Sequence, residues 1–122
     1  MTGLDWAAPI DVSRHALERA SARLGWREGP RAGELETRVS VEVRLGIAAD
    51  RVATVRPDWT RGQIRDERDP AERFFVWDAA ASRCWVLCRH GRTLTVMTLL
   101  QSYESEMAAA EQRRLKPGVR PA

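Results

Sequence analysis

The sequence has few of the residues on which several protein classes depend. Its 122 residues include only two cysteines, which argues against a disulfide-stapled secreted scaffold and for a reducing, cytoplasmic compartment. No apolar run approaches the roughly 20 residues of a membrane span, and Met1 to Pro9 lack the pattern of a secretory signal. Gly-rich phosphate loops, a Ser-His-Asp order and zinc ribbons are also missing. We therefore expect no membrane association, no cofactor and no metal site.

The residues that are present fit one globular domain, because 43% are hydrophobic and 30% are charged. The net charge of +3 comes from the end of the chain. Four basic residues lie in the last ten positions: Arg113, Arg114, Lys116 and Arg120. The remainder carries a charge of −1, so the overall basicity is weak evidence for nucleic-acid binding. The sequence predicts a single α+β domain over 1–112 and a basic, flexible C-terminal tail over 113–122.

The first helix is predicted after an irregular lead-in over residues 1–10. Asp11 or Ser13 can cap its N-terminus, and an apolar face continues to about Leu24. Gly25 is a natural end for this helix.

A second helix is predicted from Gly33 or Glu34 to about Leu45, with Gly46 ending it. Its apolar residues repeat every four positions: Leu35, Val39 and Val43. Val41 makes the same stretch alternate, so a strand is the competing interpretation. The helix is favoured because Glu and Arg, which are good helix formers, fill the remaining positions.

The second half of the chain is predicted to form strands. Four runs have strand character: Arg51 to Arg56, Arg73 to Trp77, Arg83 to Arg89 and Thr93 to Leu100. A polar loop over 58–71 separates the first run from the second, and Gly91 supplies the positive φ of a tight turn before the last. Ser102 to Leu115 is helix-like. The predicted fold class is therefore α+β, with two N-terminal helices, a four-stranded antiparallel sheet (a meander) and a C-terminal helix.

His15 and Arg19 are the first candidates for chemistry. They lie one turn apart at the edge of the apolar face of the first predicted helix. A histidine beside guanidinium groups faces anions and can act as a general acid or base next to a phosphate. A surface histidine with a structural hydrogen bond is the alternative.

Arginines cluster at the predicted strand ends and turns. Arg73 and Arg89 are candidates for stabilising charge on a phosphorus atom, while Arg83 and Arg92 are candidates for binding. His90, in the turn before Gly91, is a further binding candidate.

Two threonines of the last strand could position a phosphate oxygen. Thr95 shares a face with Thr93, whereas Thr98 points the other way unless a bulge intervenes. Cys84 and Cys88 are too far apart along one strand for a disulfide and are expected to be buried, free thiols.

Trp59 lies in the loop over 58–71 and is the best candidate for an exposed aromatic residue. Such a side chain could stack on a base or anchor a protein partner.

Two segments resemble a family. The segment VSRHALERASARLG looks like the histidine-bearing N-terminal helix of small phage and toxin-associated proteins. The run FFVWDAAASRCWVLCRHGRTLTVMTLL resembles the terminal meander of RelE-like and barnase/EndoU/colicin-like RNases. The resemblance implies a metal-independent RNase, often a toxin of a toxin–antitoxin pair.

Carried over from that family, the resemblance makes His15 the general acid and base. Arg73 or Arg89 would stabilise the phosphorane, and Thr95 or Thr98 would position a phosphate oxygen. The chain departs from ribosome-dependent members because its domain is near neutral and its single tyrosine, Tyr103, lies in the C-terminal helix.

The sequence thus leads to a first hypothesis, a small metal-independent RNase or toxin-like nuclease domain acting on RNA. The second hypothesis is a non-catalytic interaction protein, such as a phage- or mobile-element-encoded inhibitor or adaptor that binds a protein partner. It rests on the near-neutral domain, the five tryptophans and the loop over 58–71. A nucleic-acid-binding module without chemistry is the third.

Overall fold

The computed structural model of the chain describes residues 4–54 and 72–100. Two helices and five strands lie within them: β1 (Ile10–Val12), α1 (Arg14–Leu24), α2 (Glu34–Ala48), β2 (Val52–Thr54), β3 (Glu72–Trp77), β4 (Cys84–His90) and β5 (Thr93–Leu100). The predicted C-terminal helix, the loop over 58–71 and the basic tail fall outside these residues. Neither α1 nor α2 has the length and apolar character needed to cross a membrane.

Ser13 joins the start of α1 to the sheet. Its hydroxyl oxygen accepts a hydrogen bond from the backbone N–H of Ala16 at 3.1 Å and donates one to the carbonyl of Met97 at 2.9 Å. Its own N–H donates to the carbonyl of Val96 at 2.9 Å. The predicted cap at Ser13 is confirmed, and Gly25 ends the helix at φ 69° as expected.

Gly46 does not end α2, which continues to Ala48. The prediction was wrong because this glycine serves packing. A Cβ atom at Gly46 would lie 2.5 Å from Cγ1 of Val76 and 3.0 Å from the carbonyl oxygen of Trp77. Only glycine lets α2 approach β3 this closely. The chain reverses after the helix at Asp50, which has φ 57°.

The sheet has five strands in the order β1-β5-β4-β3-β2. The last four strands pair consecutively and antiparallel, but β1 adds parallel to β5, with Ile10 opposite Leu94. The predicted four-stranded antiparallel sheet is therefore wrong: the sheet is five-stranded and mixed, within an α+β fold. The three residues of β1 are too few to show a period, and only their pairing with a distant strand makes them a strand.

A bulge interrupts the pairing of β4 with β5. Leu87 lies opposite Val96 and Val86 lies opposite Thr98, so Met97 is the extra residue. The bulge brings Thr98 onto the face that Thr95 occupies.

The two faces of the sheet differ. Both helices pack on one face, here called the helix face, where they form the main core with strand residues such as Phe74, Trp85 and Leu94. The opposite face, here called the second face, carries a smaller buried cluster of Ala53, Phe75, Cys84 and Val86.

Candidate functional site

His15 and Arg19 lie on α1, on the helix side of the sheet. The Nε–H of Arg19 donates to Nε2 of His15 at 3.3 Å, and the histidine is exposed. The two predicted residues therefore touch each other. Both remain at the helix surface, which leaves them open to solvent and to an anion.

Arg73 lies on the second face beside Cys88. An Nη1–H of Arg73 donates to the Cys88 sulfur at 2.7 Å, and Nδ1 of His90 lies 3.5 Å from the same sulfur. Thr95 is opposite Cys88 in the register. Arg73 is only 5% exposed and Cys88 is completely buried. The second face thus gathers a guanidinium, a thiol and an imidazole, but the thiol is closed to an incoming substrate. Both cysteines are buried and form no disulfide, as expected.

The sheet separates the residues to which the RNase hypothesis assigns catalytic roles. His15 and Arg19 lie on the helix side, whereas Arg73, Thr95 and Thr98 lie on the second face, because residues of alternating position along a strand point to opposite faces. Within residues 4–54 and 72–100, the geometry does not gather these five side chains around one phosphate.

Arg89 belongs to the helix face. Its guanidinium forms an ion pair with Glu72 and lies 5.2 Å from the centre of the Phe74 ring. Arg92 is exposed in the turn that it forms with Gly91. Arg89 and Arg92 line a small cleft of about 170 Å³ together with Asp5. Asp5 in the lining and Glu72 paired with Arg89 offset part of its positive charge, so the cleft is a poor anion site.

Arg83 is part of a structural network. Its Nε and Nη2 groups donate to Oε1 of Glu42 at 3.0 and 2.5 Å, and Nη2 lies 3.3 Å from Oδ2 of Asp78. The indole N–H of Trp85 donates to the other Glu42 oxygen at 2.6 Å. Hydrogen bonding to Glu42 raises the pKa of Arg83 above its ordinary value. Two carboxylates already neutralise this guanidinium, which makes it a poor ligand-binding group.

Asp78 organises the turn before β4. Burial by itself would raise its pKa, but hydrogen bonds from the Ser82 hydroxyl and from the N–H groups of Arg83 and Ser82, with the Arg83 charge nearby, hold the pKa below the ordinary value of 3.8. The carboxylate is the anchor of this turn, because it accepts from Ser82 N–H at 2.8 Å and from Ser82 Oγ at 2.8 Å.

The described part of the chain contains no group of three or more His, Cys, Asp or Glu side chains that could hold a metal ion. Trp59, a predicted binding residue, lies outside that part.

Three large apolar side chains are exposed, two on the outer side of α2 and one in the segment that Arg44 of α2 holds. Trp6, Val41 and Leu45 are 58%, 50% and 59% exposed, and we name them the α2 patch. Val41 and Leu45 are one turn apart on the helix, so their side chains are neighbours. Arg44 donates hydrogen bonds to the carbonyls of Trp6 and Ala8, which holds the segment around Trp6 against α2.

Two arginines, Arg38 and Arg44, lie beside the exposed residues of α2. Arg44 bonds only to neutral carbonyls, and Arg38 lies 3.8 Å from the centre of the Trp26 ring. Neither arginine forms an ion pair with a residue that the structure describes. Glu42, the one acid between positions 38 and 48, is turned inward to Arg83. Arg38 and Arg44, which have no ion-pair partner among the described residues, therefore form a basic rim beside Val41 and Leu45, while the acidic Asp5 adjoins Trp6.

Sequence reasoning missed this patch, although a signal for it was present. Val41 lies between Val39 and Val43, and its alternation with them also fits the competing strand interpretation. In a helix, the same position points away from the buried face. An apolar residue out of phase with the core stripe, followed by Leu45 four positions later, was the available clue.

No family model, curated protein or solved structure matches this chain.

Proposed function

We propose that this protein is a non-catalytic binding module that engages a protein partner through the α2 patch. One observation carries the proposal: Val41 and Leu45 are at least half exposed one turn apart on α2, and Trp6, whose backbone carbonyl is bound by Arg44 of the same helix, is 58% exposed. Exposing large apolar side chains together is unfavourable in water and typical of surfaces that a partner covers. Tryptophan in particular is enriched among the residues that dominate binding energy.

The basic rim defines the chemistry of the partner. Arg38 and Arg44 would face any protein that covers Val41 and Leu45, so a partner surface with carboxylates around its apolar side chains is favoured. A second copy of this chain would bring two basic rims together, and like charges oppose that contact. The proposed occupant is therefore an acidic, amphipathic helix of another protein.

The experiment is a binding titration followed by NMR of the ¹⁵N-labelled chain. The probe is a helical peptide with leucines four positions apart and flanking glutamates, and its control replaces every glutamate by lysine. We expect the acidic peptide to shift the signals of Val41, Leu45 and the Trp6 indole, because it matches both the apolar patch and the rim. The lysine peptide should leave these signals in place.

Substitutions in α2 provide matched controls. Leu45→Gln should abolish the shifts, whereas Glu36→Gln, an exposed position of the same helix, should leave them unchanged. Arg44→Lys should retain binding of the acidic peptide and Arg44→Gln should weaken it, because glutamine keeps a hydrogen-bond donor but loses the charge. Equal shifts with both peptides would contradict the proposal, as would a homodimer in sedimentation that Leu45→Gln dissociates.

The RNase hypothesis stays a prediction with its own experiment. Wild type and His15→Ala would be incubated with structured and single-stranded RNA in the presence of a chelator, and the ends of the products mapped. Cleavage that leaves cyclic-phosphate ends and disappears in the variant would support an RNase centred on His15 over a purely binding role. Intact RNA with folded wild type would leave the binding module as the function to pursue.

A further inference from the structure

Residues 5–8 form a tight turn that carries Trp6. Oδ1 of Asp5 accepts a hydrogen bond from the N–H of Ala7 at 2.9 Å, and the Asp5 carbonyl accepts one from the N–H of Ala8 at 3.0 Å. A carboxylate that accepts from a backbone N–H two residues later is a common way to stabilise a turn. Trp6, inside the turn, is 58% exposed. These internal bonds shape the turn, but they do not attach it to the rest of the domain.

Two polar attachments join the turn to the domain. After the turn, the carbonyl of Pro9 accepts from the N–H of Leu94 at 2.9 Å, which brings the following residues into the sheet. At the turn itself, Nη1 of Arg44 donates to the carbonyl of Trp6, and the same nitrogen donates to the carbonyl of Ala8 at 3.1 Å. Among the residues that the structure describes, no other side chain from outside the turn donates to it. Arg44 is thus the polar contact that fixes Trp6 relative to α2.

Arg38, the other arginine of the basic rim, provides an internal comparison. Its guanidinium lies 3.8 Å from the centre of the Trp26 ring, and among the described residues it makes no hydrogen bond with the turn over 5–8. Both arginines belong to α2 and offer the same charge to an acidic partner. Any effect of Arg44 on binding that exceeds the effect of Arg38 would therefore come from the turn and not from charge.

We propose that Arg44 is a positioning residue of the binding site: it fixes the turn over 5–8, so that Trp6 meets the partner already in place. The inference rests on the proposed function, because it concerns binding at the α2 patch. Its physical basis is the entropy of association. A group that becomes ordered only on binding lowers the affinity, and ordering it beforehand removes that cost.

The first measurement is made on the free, full chain labelled with ¹⁵N. The heteronuclear NOE of the backbone N–H groups of Trp6 and Ala7 reports motion on the ps–ns timescale. We expect values of a rigid backbone in wild type and lower values in Arg44→Met, whose side chain is unbranched but has no donor. Arg44→Lys should restore the wild-type values, because one nitrogen makes both bonds and the lysine nitrogen can take its place. Unchanged values in folded Arg44→Met would overturn the proposal.

The second measurement is a double-mutant cycle with the acidic helical peptide. Arg44→Met and Arg38→Met each remove one charge of the rim, but only Arg44→Met also releases the turn. We expect Arg44→Met to weaken binding about fivefold more than Arg38→Met does, which corresponds to the cost of ordering one side chain. When Trp6→Ala is already present, the two arginine variants should weaken binding equally, because no indole remains to be positioned.

The outcomes separate this inference from the proposed function. Equal losses in Arg44→Met and Arg38→Met with Trp6 present would overturn the inference and leave the proposed function intact. A difference between the two variants that persists with Trp6→Ala would do the same, because Arg44 would then act through another group. No binding of the acidic peptide by folded wild type would overturn the proposed function and this inference with it.

Discussion

The face of α2 that packs on the sheet, here called the inner face, and the opposite, outer face both carry valine and charged residues. The surroundings of these residues differ between the two faces. Val39 and Val43 are completely buried against the sheet, whereas Val41 between them is 50% exposed. Glu42 at the inner edge binds Arg83 and Trp85, whereas Arg44 on the outer side binds only carbonyl groups. The inner face is satisfied within the domain, whereas the outer face keeps Val41 and Leu45 exposed and, among the described residues, Arg44 without an ion pair.

This difference shows that the position of a residue around the helix axis decides its role, because the residue type alone does not tell whether the side chain is buried or exposed. A valine of the inner face contributes to folding by removing apolar surface from water. A valine of the outer face gains that stabilisation only when a partner covers it. Changes to the inner face should therefore alter the free energy of unfolding, and changes to the outer face should alter binding.

Removing Glu42 should have the largest effect on stability. Glu42→Ala leaves the Trp85 indole N–H without its acceptor and Arg83 with Asp78 alone, because the carboxylate serves both groups. We expect a loss of about 2–4 kcal/mol in the free energy of unfolding, measured by chemical denaturation. Glu36→Ala, at an exposed position of α2, should change it by less than about 0.5 kcal/mol. Equal losses in the two variants would show that the network does not stabilise the inner face.

Gly46→Ala should have the next largest effect. In an open helix this exchange stabilises by about 1 kcal/mol, but here the added methyl group would meet Val76 and the carbonyl of Trp77. We expect a net destabilisation of about 1–3 kcal/mol in thermal or chemical unfolding. Gly29→Ala is the matched control, since its methyl group would meet only the flexible end of Glu34. A stabilised Gly46→Ala would refute the close approach of α2 to β3.

Asp78 makes part of the stability of the inner network dependent on pH. Its pKa is lowered in the folded chain, so its contribution is present above pH 3.8 and is lost as the pH falls through the lowered pKa. Asp78→Asn should cost about 1–2 kcal/mol at neutral pH, and the difference from wild type should shrink in unfolding measurements as the pH is lowered below 3.8. A difference that stays constant over this range would contradict the assigned hydrogen bonds.

Changes on the outer face should have the smallest effect on stability. Val41→Gln and Leu45→Gln replace exposed side chains by a good helix former, so each should alter the free energy of unfolding by less than about 0.5 kcal/mol. The same variants should lose binding of the acidic peptide. A large loss of stability in either variant would mean that the α2 patch is part of the core and would remove the basis of the proposed function.

Local signals of the sequence predicted the elements well. Ser13 and Gly25 mark the two ends of α1, because a hydroxyl cap and a left-handed glycine act within one helical turn. The strand-like runs of β3, β4 and β5, separated by short turns with a positive φ of 60° at Gly91, predicted their consecutive antiparallel pairing. The apolar stripe of Leu35, Val39 and Val43 correctly identified the buried face of α2.

Predictions from local signals failed where the role of a residue depends on contacts with a distant part of the chain. Gly46 looked like a helix end, but it is required by the approach of β3. The bulge at Met97, which places Thr98 beside Thr95, follows from the pairing of β5 with β4. Each predicted RNase residue was plausible by itself. That the sheet lies between them follows only from the strand order and from the face of the sheet on which each residue lies.

The sequence by itself determined the two helices, the four later strands and the buried stripe of α2, because caps, turns and periodicity act between residues close in the chain. The tertiary structure alone decided the parallel pairing of β1 and the sides of the sheet on which His15 and Arg73 lie. It also decided that Glu42 is engaged inside the domain while Arg44 is left outside. These outcomes depend on contacts between residues far apart in sequence, for which no local pattern exists.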